Sequence, residues 1–441
     1  TVELYKPSRH TTPFIHCWKK TPDYSPVPFH KKKELPSFVP KIKAHCPFLG
    51  HTGLSASARG MFTALSSIVD LRVDNYTWCD DRHNYLTEQQ KKIISEVTLK
   101  DPQDNYIEKQ NPPEWKKKIE DFQYDVDIVF HEYDHEHFLK KYSKPKIAYT
   151  VWETDLYAAH FFKTLLEYDE LWVPSKWQRE YTIAQGYPAS RVKVVPFAVE
   201  SDCTPSSEGG PLDDSVFTFC LLGRWDYRKS TTEIIRCFVE LFGNNPKVQL
   251  IASIDNPFAL DGLSTEERKA KMGWGEVDNI ILKSFPNRKE YVKIIQESHV
   301  FLSCARAEGW NIPLLEAMAC GVPAIYSDCS AQLEFAQKKG IPVRVLGKEK
   351  AGVGTSEVVS QFTANLPGHY FSPDYEHLKK QMQRCIDNYE ILKATALKDS
   401  VELRQKYTWQ HTARIALSHL ENFCKSQAIT APRSPKPNPP P

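Results

Sequence analysis

The chain has 441 residues, 41% of them apolar and 12% aromatic. That is the composition of a folded protein, and the length exceeds one ordinary core and suits two domains. Lys and Arg number 57 against 55 Asp and Glu, a net charge of +2, which excludes an overall electrostatic drive toward nucleic acid.

The basic runs Lys31-Lys32-Lys33 and Lys116-Lys117-Lys118 read as solvated faces or loops. The 11 cysteines are spread singly, without a Cys-x-x-Cys pair. Cys220, Cys237, Cys304, Cys320 and Cys329 lie in or beside apolar segments, the pattern of a reducing compartment and not of a disulfide scaffold. There is no run of 18 apolar residues and no apolar signal core at the start, so a soluble, cytoplasmic protein without a membrane span is expected.

In chain order, residues 1–40 are rich in Pro, Lys and His without periodicity and read as an irregular extension. A strand is predicted over 42–48, a glycine-bearing loop after it, a helix over 56–68 and a strand over 71–79. Further strands are expected at 126–130, 146–152, 170–173 and 192–195, with helices at 158–168 and 175–186. Residues 205–214 (PSSEGGPLDD) form a linker. The alternation then restarts: strand 216–222, helix 231–242, then strands 248–253, 280–284, 300–304 and 324–327. Helices follow at 378–388 and 408–424, and the tail, with six prolines from Ala431 on, reads as disordered. Repeated β-then-α order implies parallel sheets flanked by helices, and two such halves leave a cleft at the carboxyl ends of their strands.

Two motifs face that expected cleft. In Leu221-Leu-Gly-Arg224-Trp-Asp-Tyr-Arg-Lys229-Ser-Thr an apolar strand ends in Gly, and Ser230 or Thr231 can N-cap the next helix. Arg224 and Lys229 thus sit where a diphosphate would meet a guanidinium, an ammonium and backbone N–H groups. In Glu308-Gly-Trp-Asn-Ile-Pro-Leu-Leu-Glu316 two carboxylates stand eight residues apart with Gly and Pro between them. The first belongs to a loop and the second to a helix whose N-terminus favours anions. Glu316 can accept two hydrogen bonds from vicinal ribose hydroxyls. Glu308 can hold sugar hydroxyls or support charge on an oxocarbenium-like centre, and Gly309 lets backbone approach a ligand closely.

Earlier in the chain, Gly50-His51-Thr52-Gly53 matches neither Gly-x-Gly-x-x-Gly nor a Walker loop, so neither a dinucleotide nor ATP is indicated. His131-Glu132-Tyr133-Asp134-His135 is textually a zinc motif, but His131 ends a strand where the motif needs a helix; His131 is expected to face the cleft, and His135 and His137 the surface. Asp125-Val126-Asp127 begins a strand where a metal-binding Asp-x-Asp would end one. No metal site is expected, and no cofactor beyond a nucleotide-sugar co-substrate.

With these residues the chain resembles the GT-B-fold, family-4 retaining glycosyltransferases (glycosyl transferases group 1). The likeness runs over most of 42–424 and is strongest at 216–335. It implies an α/β GT-B fold, two Rossmann-like domains with parallel sheets facing a central cleft. The N-terminal domain, 41–204, would be the acceptor side; the linker is 205–214, and 215–407 would be the nucleotide-sugar donor side. A helix at 408–427 would cross back to the first domain, and 428–441 is the Pro-rich tail. The resemblance assigns Arg224 and Lys229 to the donor diphosphate and Glu316 to the ribose. It assigns Glu308 and the backbone of Gly309, Trp310, Asn311 and Ile312 to the sugar. His131 matches a histidine after a first-domain strand, and Gly53 the loop facing the donor phosphates. Trp152 and Glu153 would lie near the acceptor. Members often carry Gly-Phe-Gly where this chain has Gly309-Trp310-Asn311, so the Asn311 amide is expected to occupy space beside the sugar. The implied activity is metal-independent transfer of a hexosyl-type group from a UDP- or GDP-linked sugar to an acceptor hydroxyl of a glycan or glycoconjugate, with retention. Glu308, His131, Arg224 and Lys229 would be catalytic. The alternatives are a non-catalytic nucleotide-sugar-binding protein of the same fold and a sugar-nucleotide epimerase.

Overall fold

A computed structural model describes residues 39–48, 52–75, 122–131, 136, 138–139, 144–206, 211, 215–256, 259, 261–285, 287–352 and 366–427. The basic runs, most of the 1–40 extension and of the linker, Gly50, His51, His135, His137 and the 428–441 tail lie outside the described residues.

The first half alternates β1 (Lys41–Cys46), α1 (Gly53–Ser66), β2 (Asp70–Asn75), β3 (Val126–Phe130), β4 (Lys146–Tyr149), α2 (Ala159–Leu166), β5 (Glu170–Val173), α3 (Lys176–Ala184) and β6 (Val192–Val194). The six strands pair in the order β2-β1-β3-β4-β5-β6, all parallel. Every residue of β3 and β5 is buried, as the near-continuous apolar runs of a sheet covered on both faces require. The strand expected over 146–152 ends at Tyr149. Beyond it the Trp152 amide donates to Gln178 Oε1 (3.2 Å) instead of to a neighbouring strand.

The second half runs β7 (Phe217–Leu222), α4 (Thr231–Phe242), β8 (Val248–Ser253), α5 (Thr265–Lys271), β9 (Ile280–Leu282), α6 (Arg288–Gln296), β10 (Val300–Ser303), α7 (Ile312–Ala319), β11 (Ala324–Ser327), α8 (Leu333–Ala336) and β12 (Ile341–Val343). Its six strands are ordered β12-β11-β10-β7-β8-β9, again all parallel. An antiparallel ribbon follows, β13 (Val345–Lys350) with β14 (His369–Pro373), then α9 (Tyr375–Asp387), α10 (Tyr389–Lys406) and α11 (Trp409–Ser426). The ribbon, α5, α6, α8, β12 and α10 have no counterpart among the sequence expectations. Helix α10 buries only Ser400 and Leu403, so it lacks the apolar stripe that periodicity detects.

Helix α11 packs on α1 of the first half. A Cβ on Gly60 would lie 2.0 Å from the Trp409 ring, so only glycine permits this approach. Thr412 Oγ1 donates to Pro196 O (2.9 Å), and Val199 bridges to Thr408.

The strand orders decide where a ligand can enter. After β7 the chain continues to one side of the sheet through β8 and β9, then returns to the other through β10, β11 and β12. The connections leaving β7 and β10 therefore diverge at their carboxyl ends and open a crevice there. The first sheet has the same switch between β1 and β3. All cysteines among the described residues are buried, free thiols. No helix among them is long and apolar enough to cross a membrane.

Candidate functional site

The loop leaving β7 carries the basic motif. Arg224 is half-buried at the strand's end, and its carbonyl accepts from Thr231 Oγ1 (2.8 Å). Asp226 caps a tight 3-10 turn, Tyr227–Lys229, by accepting from the Arg228 amide (2.9 Å). Ser230 then takes a left-handed conformation (φ 54°) and makes no side-chain cap; its Oγ accepts from the Tyr375 hydroxyl at 3.0 Å. The turn swings Arg228 inward, where it is buried, and leaves Lys229 at the crevice.

The loop leaving β10 brings Glu308 to these cations. Lys229 Nζ lies 2.5 Å from Glu308 Oε1 and Arg228 Nη1 3.1 Å from Oε2. Burial pushes the Glu308 carboxyl up, yet Lys229 and Arg228, by charge and by hydrogen bond, hold it below the usual carboxylate range. Burial pushes the Lys229 ammonium down; Glu308 draws it back only in part, and the Arg228 charge works against it. The switch-point crevice thus holds an ionised carboxylate beside an ammonium that releases its proton more readily than an exposed lysine.

Past Glu308 the backbone approaches the first domain. A Cβ on Gly309 would meet Val151 Cγ2 at 2.4 Å and Trp152 O at 2.8 Å, so this glycine serves a close inter-domain contact. Trp310 is buried against Phe197, Phe335 and Tyr407, an apolar seam between the halves. Asn311 corrects the expectation that its amide fills sugar space. It is the N-cap of α7, with φ 78°, and its Nδ2 donates to Ser303 Oγ (2.8 Å) and Gln332 Oε1 (2.7 Å). A left-handed cap is a position that suits Gly or Asn, which accounts for Asn at 311. Ile312 begins α7 half-buried. One turn on, Glu316 is buried, accepting from Arg288 Nη1 (2.5 Å) and the Tyr291 hydroxyl (2.7 Å). Arg288 also holds Asp202 with two nitrogens at 3.0 Å.

From the first domain, His131 sits buried at the end of β3, its amide donating to Tyr149 O (3.2 Å). Gly53 opens α1 exposed, behind the N-cap Thr52, whose Oγ1 accepts from the Ser55 amide (3.2 Å). The acceptor-side expectation for the Trp152 ring is corrected: it is buried against Phe161 and Tyr157, its indole N–H donating to Thr154 Oγ1 and Leu156 O (both 2.8 Å). Glu153 does reach the crevice, and meets Arg228 Nη2 at 2.8 Å. Asp127 of the Asp-x-Asp stretch is buried on His45 Nε2 (2.7 Å).

Sequence reasoning missed Arg228, Arg288 and Tyr291. Arg228 lies inside the motif, but only the 3-10 turn tells which of two adjacent cations points inward. Arg288 and Tyr291 carry no local signal; α6 delivers them to Glu316 from 28 and 25 residues away.

Two six-stranded parallel sheets facing a crevice at their switch points define the GT-B fold. The likeness to solved structures is of the same kind. An Anabaena protein, HepE, solved in complex with UDP-glucose has a TM-score of 0.60 at 12% identity, over 87% of this chain and 100% of that one. Sucrose-phosphate synthase from Thermosynechococcus elongatus has a TM-score of 0.59 at 14% identity, over 88% and 100%. Within this fold, residues 206–349, the segment holding Lys229, Glu308 and Glu316, match the model of the family glycosyl transferases group 1. The GDP-mannose:cellobiosyl-diphosphopolyprenol alpha-mannosyltransferase of Xanthomonas campestris is 26% identical over 123 residues, 28% of this chain and 32% of the relative. Its counterpart in Xanthomonas oryzae pv. oryzae is 25% identical over 141 residues, 32% and 36%. The chain thus spans about a third of the length of the curated relatives it matches.

Proposed function

We propose that the chain transfers a hexosyl-type group from a UDP- or GDP-linked sugar to an acceptor hydroxyl, with retention of anomeric configuration. One observation carries the reading: Glu308 and Lys229, 79 residues apart, meet at the β7/β10 switch point of a segment that matches the group 1 glycosyl transferases. The relatives named for GDP-mannose and the structures solved with UDP or UDP-glucose support either base.

In this reading Arg224 and Lys229 bind the diphosphate, so Lys229 exchanges Glu308 for phosphate oxygens when the donor arrives. Glu308 and the 309–312 backbone hold the sugar. Glu316 receives the ribose hydroxyls with the lone pairs that Arg288 and Tyr291 leave. His131 approaches the sugar from the first domain. The bond from the anomeric carbon to the phosphate oxygen breaks while the acceptor oxygen bonds to that carbon on the same face. The departing phosphate takes the acceptor's proton. The side-chain cations stabilise the leaving diphosphate, and no metal is required.

The experiment is a thermal-shift titration with UDP, GDP, ADP and their sugar conjugates, with EDTA present. A shift with UDP or GDP, lost in Glu316→Ala and Arg224→Ala, is the expected result. A folded protein that responds to none of them would overturn the reading.

A further inference from the structure

We infer that Arg228 is the positioning residue for Glu308, and that Glu153 sets Arg228 from the opposite domain, so that the donor-site carboxylate is aligned only while the two domains meet. The inference rests on the glycosyl-transfer reading above.

Arg228 and Lys229 both contact Glu308, but they are held differently. Lys229 is the looser partner, its side chain 21% exposed and its charge on a flexible stem; the Arg228 side chain is 2% exposed. Three groups fix the Arg228 fork. Nη1 faces Glu308 Oε2 (3.1 Å) and donates to Ala307 O (2.9 Å), and Nη2 meets Glu153 Oε1 at 2.8 Å. A diphosphate entering the crevice draws the ammonium to itself, and Glu308 then depends on Arg228 to stay ionised and aimed. A buried carboxylate left without a cation is strongly disfavoured.

The Glu153 end is anchored just as firmly. Its neighbours Val151 and Trp152 abut Gly309. Asp155, two residues on, meets Lys348 Nζ and the His369 amide of the β13–β14 ribbon (both 2.8 Å). The loop that carries Glu153 is therefore located by the second domain, and Glu153 returns that fix to Arg228. Asp226 and the Tyr370 phenol also face Arg228, and the Cys329 thiol faces Glu308. The guanidinium is the one permanent cation among these groups, since its burial is outweighed by Glu153 and Glu308, which hold it protonated.

The test uses the full chain with Arg228→Gln, Arg228→Lys and Glu153→Gln, and UDP-glucose and GDP-mannose as donors with water as acceptor. Turnover, nucleoside diphosphate affinity and the pH profile are measured together. Expected for Arg228→Gln is a loss of roughly 10²-fold in kcat, the scale of a misplaced reacting group, with nucleotide affinity kept and the acidic limb of the profile moved to higher pH. Arg228→Lys should recover part of the rate, and Glu153→Gln should lose less, roughly 10-fold in kcat with nucleotide affinity kept, because the cation stays while its fix is loosened. An unchanged pH profile would overturn the inference. So would a nucleotide affinity that weakens in step with kcat, which would make Arg228 a phosphate ligand. If Arg228→Gln does not fold, the half-buried Glu153→Gln decides alone. If the wild type turns over neither donor, a carbon-13 titration of Glu308 in wild type and Glu153→Gln shows whether the alignment stands, and the functional reading falls only if neither UDP nor GDP binds.

Discussion

The two domains share an architecture and differ in how they hold charge at the crevice. In the C-terminal domain the crevice charges are buried and paired within the domain, Glu308 with Arg228 and Lys229, Glu316 with Arg288. The N-terminal domain presents mostly packed backbone and aromatic rings there, Val151 and Trp152 against Gly309. Its acids Glu153 and Asp155 reach across to the other domain's cations. Desolvating a charge costs more than its attraction repays unless geometry is fixed and hydrogen bonds are complete. The most deeply buried carboxylates therefore keep their nearest counter-ions on the same domain. The opposite face contributes single charges whose partners lie on the facing domain. The N-terminal domain keeps its own buried ion cluster elsewhere, His45 on β1 between Asp74 of β2 (3.0 Å) and Asp127 of β3 (2.7 Å).

Three measurements break or sharpen this contrast. The largest effect is expected from Lys229→Ala, which removes the C-terminal domain's mobile cation: a loss of roughly 10²–10³ in transfer rate, the usual size for such a donor. A rate within a few-fold of wild type would remove Lys229 from the diphosphate. Next is Gly309→Ala, which drives a methyl into Val151 and the Trp152 carbonyl. It should cost about 1–3 kcal/mol, read by chemical denaturation, as overpacking does. Adding Val151→Ala should restore only part, because the carbonyl cannot be trimmed away; an unaltered midpoint in Gly309→Ala would mean the domains do not touch there in solution. The smallest concerns the N-terminal cluster. Burial by itself would push the His45 imidazole down, but Asp127 and Asp74 raise it above its ordinary 6.5. A raised folded value means that the imidazolium's contribution is complete below about 6.5 and is lost as pH rises through the folded value. Stability should accordingly decline on the alkaline side of that point, and His45→Gln should flatten the decline. An equal slope in both proteins would show that His45 is neutral in the fold.

What could be read in the chain and what could not divide along the same line. The strands at 126–130, 170–173, 248–253 and 324–327 were legible to the residue, because strands buried on both faces write continuous apolar runs into the sequence. That Lys229 and Glu308 would face one crevice was legible too, since each follows an apolar strand and parallel order sends both strand ends the same way; that they pair with each other was not. The ribbon β13–β14 was not: Val-Leu-Gly-Lys-Glu-Lys has too few apolar residues to register as a strand, and what places it is Asp155 of the other domain.

The sequence by itself determined the doubly repeated β/α order, the crevice between two sheets, and the cations and carboxylates at its C-terminal side. Local pattern suffices where neighbouring residues share one loop or one strand end. Only the tertiary structure decided that Arg228 points inward, that Asn311 caps a helix instead of lining sugar space, that Trp152 is core while Glu153 crosses the crevice, and that Glu316 already holds Arg288 and Tyr291. Each of these depends on which distant segment packs against the residue, and burial and pairing between remote segments leave no periodic trace in the chain.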